Sequence, residues 1–289
     1  MLTPLRRSAL YMPASNARAI EKAKTLPCDV VILDLEDAVA PESKALAREQ
    51  ALDAVRRGGF GERQLVVRCN DLASPYGEDD CKALALAKPD AVLAPKVSSV
   101  QDLKAYRSAL GGEGGPALWA MIETCAVVFE LRELSRAAVS CGLQGFVLGT
   151  NDLVKELGCE ESSDRIALQP IFSLTVAAAR LAGLFALDGV CNALQDAAAL
   201  EAECRQARAF GFDGKTLIHP AQIKTTNRMF SPGEAALNHA RAVLAAFAAP
   251  ENHAKGVVRV DGRMVERLRL AQAERVIALA QAAAREPGR

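Results

Sequence analysis

This 289-residue chain has no net charge, no paired-cysteine motif and no long apolar run, and each absence removes a class of function. Its 35 Lys and Arg balance 35 Asp and Glu, whereas a nucleic-acid binder of this size carries a basic excess. Its eight cysteines, scattered from Cys28 to Cys204, include no Cys-x-x-Cys pair and no histidine at zinc-ligand spacing. They read as small buried apolar residues of a protein in a reducing cytoplasm. No stretch approaches the ~18 uninterrupted apolar residues of a membrane span. The opening MLTPLRRSALYMPAS has basic residues but no apolar region ahead of a cleavage site, so no signal peptide is expected. With three histidines, no Gly-x-Ser-x-Gly elbow and no His-Glu-x-x-His, nucleophilic-triad and zinc-peptidase chemistry lack support.

Half of the residues are apolar, which excludes a disordered chain and allows a large core. Short apolar runs recur in order: SALYM, DVVILDLE, QLVVR, DAVLAPK, ALWAMIE, GFVLGT, LFALDG and KTLIH. They lack strict alternation, as strands buried on both faces do, and helical stretches such as ESKALAREQALDAVRR separate them. Eight units at about 30 residues each predict a (β/α)8 TIM barrel over residues 1–230. An open doubly wound sheet would need a glycine-rich loop after its first strand, and PASNARAIEKA has no glycine. GGEGGP at 111–116 leads into a strand, so it reads as a surface turn. GFDGKT at 211–216 has Ala209 where a phosphate loop needs its first glycine. Beyond residue 230 a helical extension, 231–289, is expected to pack on its own barrel or a neighbouring subunit's. Its two helices are FSPGEAALNHARAVLAAFAAPE and RMVERLRLAQAERVIALAQAAARE, with GVVRVDG as the link.

Catalytic side chains of such barrels come from the C-terminal ends of the strands. Those ends carry Tyr11; Glu36 and Asp37; Arg68 and Asn70; Lys96; Glu123; Asn151 and Asp152; Asp188; and His219. Any one of them could cap a helix or solvate a turn, but a polar group at every strand end favours an enzyme. Carboxylates beside one Arg and one Lys point to a hard cation, Mg²⁺, with Glu123 and Asp152 as direct ligands. Glu36 and Asp37 would hold metal-bound waters, unless Asp37 only opens the loop towards Pro41. Arg68 offers a planar fork for a carboxylate or enolate oxygen, or else a salt bridge closing the barrel mouth. His219, before Pro220, either meets substrate or caps the last barrel helix.

The segments RRSALYMPASNARAIEKA, DVVILDLEDAVAPESKALAR, VVRCND, APKV, WAMIET, GTNDLVKELG, LDGV, GFDGKTLIHPAQI and VDGRMVE resemble, in order, the citrate lyase β-subunit-like branch of the HpcH/HpaI aldolase family. The resemblance covers nearly the whole chain. It implies the barrel with its C-terminal extension, a homotrimer or hexamer, Mg²⁺, and 3-hydroxyacyl-CoA substrates such as malyl-, citramalyl- or citryl-CoA. Carried over residue by residue, Glu123 and Asp152 match metal ligands and Arg68 a substrate-binding arginine. Tyr11, Arg18 and Lys22 fall where the family contacts CoA, and Asp188 and His219 join the substrate-binding set. Arg18 and Lys22, at i,i+4 spacing, would face one way, towards CoA phosphates or simply towards solvent.

The sequence departs from the family pattern at Ala14, where Gly is usual, at Asn151, where an acid is usual, and at Glu266, where many members carry a catalytic Asp. The first expectation is a Mg²⁺-dependent lyase cleaving the substrate to an acyl-CoA and a 2-oxo acid, with Glu266 of a neighbouring subunit's helix exchanging the enolate proton. The alternative on the same residues is hydrolysis of a malyl-CoA thioester. An aldolase on free 2-oxo acids ranks below both, and Glu123, Asp152 and Arg68 argue against a non-catalytic subunit. No sequence feature supports an acyl-carrier partner.

Overall fold

A computed structural model describes residues 4–284. The eight apolar runs form parallel strands: β1 Ser8–Pro13, β2 Val30–Asp34, β3 Gln64–Arg68, β4 Ala91–Ala94, β5 Ala117–Ile122, β6 Leu143–Leu148, β7 Phe185–Asp188 and β8 Gly214–Leu217. They pair in sequence order, and β8 returns to β1 through Ser8↔Lys215, Ala9↔Thr216 and Leu10↔Leu217, closing the barrel. Nearly every strand residue is buried, because one face meets the barrel interior and the other the surrounding helices. The result is a (β/α)8 TIM barrel, with KTLIH continuing as its eighth strand and GGEGGP forming a turn at Gly112–Gly114.

Apolar side chains fill the barrel interior. Trp119 and Phe185 meet edge to face with centroids 4.6 Å apart, and Arg6 lies 4.2 Å over the Phe185 ring. Gly145 leaves the room: a Cβ there would fall on the Phe185 ring. Arg7 grips Asp29 through Nε at 2.9 Å and a terminal nitrogen at 2.8 Å, fastening β1 to the start of β2. The strands' C-terminal ends, with Tyr11, Arg68 and Glu123, lie at the opposite mouth.

From Arg228 on, the described residues form a second compact unit together with Pro4 and Leu5. Its first helix runs over Glu234–Ala248, as the sequence leads one to expect, but the second does not begin at Arg263. Val257–Val260 and Arg263–Glu266 are instead antiparallel strands β9 and β10, and helix begins only at Arg269. The alternation of Val258, Val260 and Val265 buries one face against Val243 and Phe247. Asp261 and Gly262, with φ of 49° and 78°, make the tight turn that Asp-Gly favours between alternating apolar residues. Hairpin chemistry therefore overrides the helical periodicity, and Glu266 is an exposed strand residue in register with Val257.

Among the described residues no helix is long and apolar enough to cross a membrane. All eight cysteines are free, six of them buried.

The β8–β1 seam has no slack, since a Cβ on Gly214 would land on the carbonyl oxygens of Arg6 and Arg7. Gly214→Ala should cost about 2–3 kcal/mol, read as a lower urea midpoint at unchanged slope. An unchanged midpoint would show that the seam can open to admit a methyl group.

Candidate active site

Arg68 ends β3 directly opposite Asp34, the last residue of β2. Its Nε and one terminal nitrogen donate to the two Asp34 oxygens at 2.7 and 2.6 Å, and the pair is almost wholly buried. The other terminal nitrogen lies 2.9 Å from Glu36 and 3.1 Å from Asp37. The guanidinium stacks 5.0 Å over the Tyr11 ring. Burial opposes its charge, but Asp34 and the neighbouring carboxylates hold its pKa well above the ordinary value. Asp34 also accepts from the backbone N–H groups of Glu36 and Ala38, so one carboxylate both shapes the turn and clamps the arginine. That turn is latched from outside by Lys44, whose Nζ donates at 2.7 Å to the carbonyls of Leu35 and Glu36 and to Asn70 Oδ1.

A second charged group faces the first. Glu123, at the end of β5, is 1% exposed; its Oε1 accepts from the Lys96 backbone N–H at 2.7 Å. Its Oε2 is buried without a donor. Asp152, in the first turn of helix Thr150–Leu157 after β6, interacts with Glu123 and accepts from Lys96 Nζ at 2.8 Å. Lys96 adopts a left-handed φ of 53°, uncommon for a side-chain-bearing residue, and that turn lets its N–H and ammonium reach both carboxylates.

Burial pushes the Glu123 carboxyl up to about 7 against the pull of Lys96, and pushes Glu36 up to about 8 against the pull of Arg68. Burial opposes ionisation of Asp152 as well, but the Lys96 hydrogen bond depresses its pKa. Gly149 makes room for Glu123, because a Cβ there would lie 2.5 Å from Glu123 Cβ and 2.6 Å from Oε2. Tyr11, Asp34, Asp37, Arg68, Glu123 and Asp152 open together onto a cavity of about 280 Å³.

The residues present fit Mg²⁺. Two carboxylates that follow the adjacent strands β5 and β6 supply hard oxygen donors, one of them a buried oxygen with no hydrogen-bonding donor. Among the described residues no group of three or more Cys, His, Asp or Glu could form a complete cage. The protein's share would be these two carboxylates, with water or substrate oxygens completing the shell as Mg²⁺ commonly requires.

Other expected site residues lie elsewhere. Asp188 is fully buried, bound to Lys215 Nζ at 2.7 Å and to Arg165 at 2.9 Å, so it anchors an internal ion-pair network and does not line the mouth cavity. Lys215 of the phosphate-loop mimic is also fully buried; it holds Glu203 and the Gly189 carbonyl as well. Asn70 is buried between Lys44 and Asp80. The exposed His219 uses Nδ1 to accept from the Ala221 N–H, capping the turn Pro220–Gln222. Arg18 and Lys22 are exposed on helix Ala17–Ala23. Asp37 leans on Arg68, and the turn Pro41–Ser43 begins without a side-chain cap.

Asp34 escaped the sequence reading, although its place two residues before Glu36 in DLED puts both on one strand face. The roles of Lys44 and Lys215 left no signal in spacing.

A family model described as HpcH/HpaI aldolase/citrate lyase matches residues 7–220. The chain is 44% identical to a (3S)-malyl-CoA thioesterase of Cereibacter sphaeroides over 278 residues, which is 96% of this chain and 95% of that protein. It is 32% identical to citrate lyase subunit beta of Escherichia coli (strain K12) over 272 residues, covering 91% and 89%. CitE of Mycobacterium tuberculosis, solved with magnesium, acetoacetate and coenzyme A, superposes with a TM-score of 0.79 at 28% identity over 97% of this chain and 100% of that one.

The fit around Gly149 generates a sharp expectation. Gly149→Ala should displace the Glu123 carboxylate and lower turnover by roughly ten- to a hundredfold, while the far-ultraviolet spectrum stays that of the wild type. Undiminished turnover would mean that Glu123 can shift without consequence.

Proposed function

The chain belongs to the HpcH/HpaI aldolase/citrate lyase family, and from that premise we propose that it hydrolyses the CoA thioester of a malyl-type 3-hydroxy dicarboxylic acid. The observation that carries this reading is the buried Glu123 and the partly exposed Asp152 opening onto the same cavity as Arg68. Such a mouth can hold a divalent cation and a carboxylate side by side. The sequence alone places carbon–carbon cleavage first; the 44% identity to a malyl-CoA thioesterase, against 32% to a citrate lyase β subunit, supports hydrolysis. The lyase remains the second reading, supported by the β-subunit relatives and by a site that serves either reaction.

Glu123 and Asp152 would hold Mg²⁺, which when bound supplies Lewis-acid polarisation of the hydroxy-acid end. Arg68 binds the substrate carboxylate through the terminal nitrogen that Asp34 does not hold, in place of Asp37, while Asp34 fixes the guanidinium plane. Burial raises the Tyr11 phenol's pKa, so it stays protonated and packs beside the bound acid. Glu36, which burial pushes up to about 8, accepts the water's proton in its ionised form, a form that grows as the pH rises towards 8. The water oxygen bonds to the thioester carbonyl carbon, the carbon–sulfur bond breaks, and the departing CoA thiolate takes the proton from Glu36. Arg18 and Lys22 offer exposed positive charge to the CoA phosphates. The active assembly is a homotrimer or hexamer in which Glu266 reaches a neighbour's barrel, as the family resemblance implies.

Malyl-CoA incubated with Mg²⁺ should yield free CoA thiol and malate; acetyl-CoA and glyoxylate would decide for cleavage of the carbon–carbon bond. The role of Glu266 is tested by mixing inactive Glu266→Gln and Arg68→Ala protomers at equal ratio. Random assembly should restore about a quarter of wild-type turnover, because that share of interfaces pairs an intact barrel with an intact Glu266. No recovery in verified mixed oligomers would remove Glu266 from the neighbour's site.

A further inference from the structure

Beside the mouth lies a second cavity of about 370 Å³ within the barrel unit. It shares Thr150, Asn151 and Val190 with the first, so the two are contiguous. Between them stands an amide pair: Asn192 Nδ2 donates to Asn151 Oδ1 at 2.9 Å. Asn151 directly precedes the proposed ligand Asp152, which puts this partition next to the substrate's hydroxy-acid end.

Thr150, Ser162 and Ser163 bring hydroxyls to the side cavity, but its exposed charge is of one sign. Val154, Leu168, Ala193 and Ala199 give it apolar walls, and Glu160 and Glu161 stand exposed on its rim. Arg165 is the cation among its described lining residues, and each of its three nitrogens already donates within the protein. It donates to both Asp188 oxygens at 2.9 and 3.0 Å, to Gln206 at 2.8 Å and to the Glu203 carbonyl at 3.4 Å. A carboxylate entering here would meet the exposed Glu160 and Glu161 and a cation already paired with Asp188, whereas an alkyl group would meet apolar walls.

We propose that this side cavity is a specificity subsite that admits an uncharged alkyl branch on the hydroxyl-bearing carbon of the substrate and rejects a carboxymethyl branch. The chain would then select malyl and alkylmalyl thioesters over citryl thioesters. The inference rests on the function proposed above, since it takes the hydroxy-acid end to lie over Glu123, Asp152 and Arg68. Small residues at Ala193 and Ala199 set the size of the accepted branch, and the Asn151–Asn192 pair is the movable partition.

Binding of free hydroxy acids tests this without relying on turnover. With the full chain and Mg²⁺, calorimetry should find 2-ethylmalate bound at least as tightly as malate, and citrate about tenfold more weakly or worse. Ala199→Leu, and independently Ala193→Leu, should lower the ratio of 2-ethylmalate to malate affinity by about tenfold or more, because the added isobutyl group occupies the branch site. Glu160→Gln combined with Glu161→Gln should raise citrate affinity by about threefold, a gain that added salt suppresses. Unchanged ratios in both leucine variants would overturn the subsite. So would a loss of affinity for free coenzyme A in place of a changed ratio, which would assign the cavity to the thioester arm. If malate itself fails to bind the wild type, the proposed function falls and takes the subsite with it; normal malate binding with unchanged ratios defeats the subsite alone.

Discussion

A buried guanidinium must be paid for in full by its partners, and the mouth of this barrel is organised around that requirement. Asp34 meets Arg68 on two nitrogens, and Glu36 and Asp37 crowd the third. Removing one member of such a pair strands the other charge, at a cost of about 3–5 kcal/mol. The same constraint bends the chain after β2, because Asp34 accepts the N–H groups of Glu36 and Ala38 while it holds the arginine. Lys44 then fastens the turn from behind. The position of one cation thus dictates the path of the loop that carries Glu36, the carboxyl with the raised pKa.

Across the cavity the balance has the opposite sign. Glu123 and Asp152 bring two carboxylates together, with Lys96 as their shared counterion and one buried oxygen left without a donor. Burial of Glu123 strengthens the charge interactions there, while Asp152 and Lys96 stay partly open to solvent, an arrangement that suits a divalent cation. The left-handed backbone at Lys96 and the missing side chain at Gly149 serve this arrangement, one by turning donors inward and the other by leaving space.

The strands were legible because burial on both faces leaves an unbroken apolar run, which survives any context. The list of strand ends was legible too, since a barrel fixes the height at which each strand stops. Height does not say where a side chain points. Asp188 stands at the right level, yet Lys215 and Arg165 hold it inside the wall. Asp34 stands one step lower than Glu36 and still reaches Arg68, because strand register places the two residues side by side. The hairpin around Asp261 and Gly262 carried its own signal in the Val-x-Val alternation, which the long helical periodicity that follows obscured. Long-range ion pairs such as Lys215 with Glu203 leave no trace in local spacing.

Glu123 and Asp152 are proposed above to hold the divalent cation at this mouth. Manganese binding followed by electron paramagnetic resonance reads that site directly, with Mg²⁺ as competitor. One competable ion per chain is expected in the wild type, and an ion at least about tenfold weaker in Glu123→Gln, at unchanged secondary structure. Equal affinity in the wild type and the variant would contradict it and leave the pair as a structural partner of Lys96.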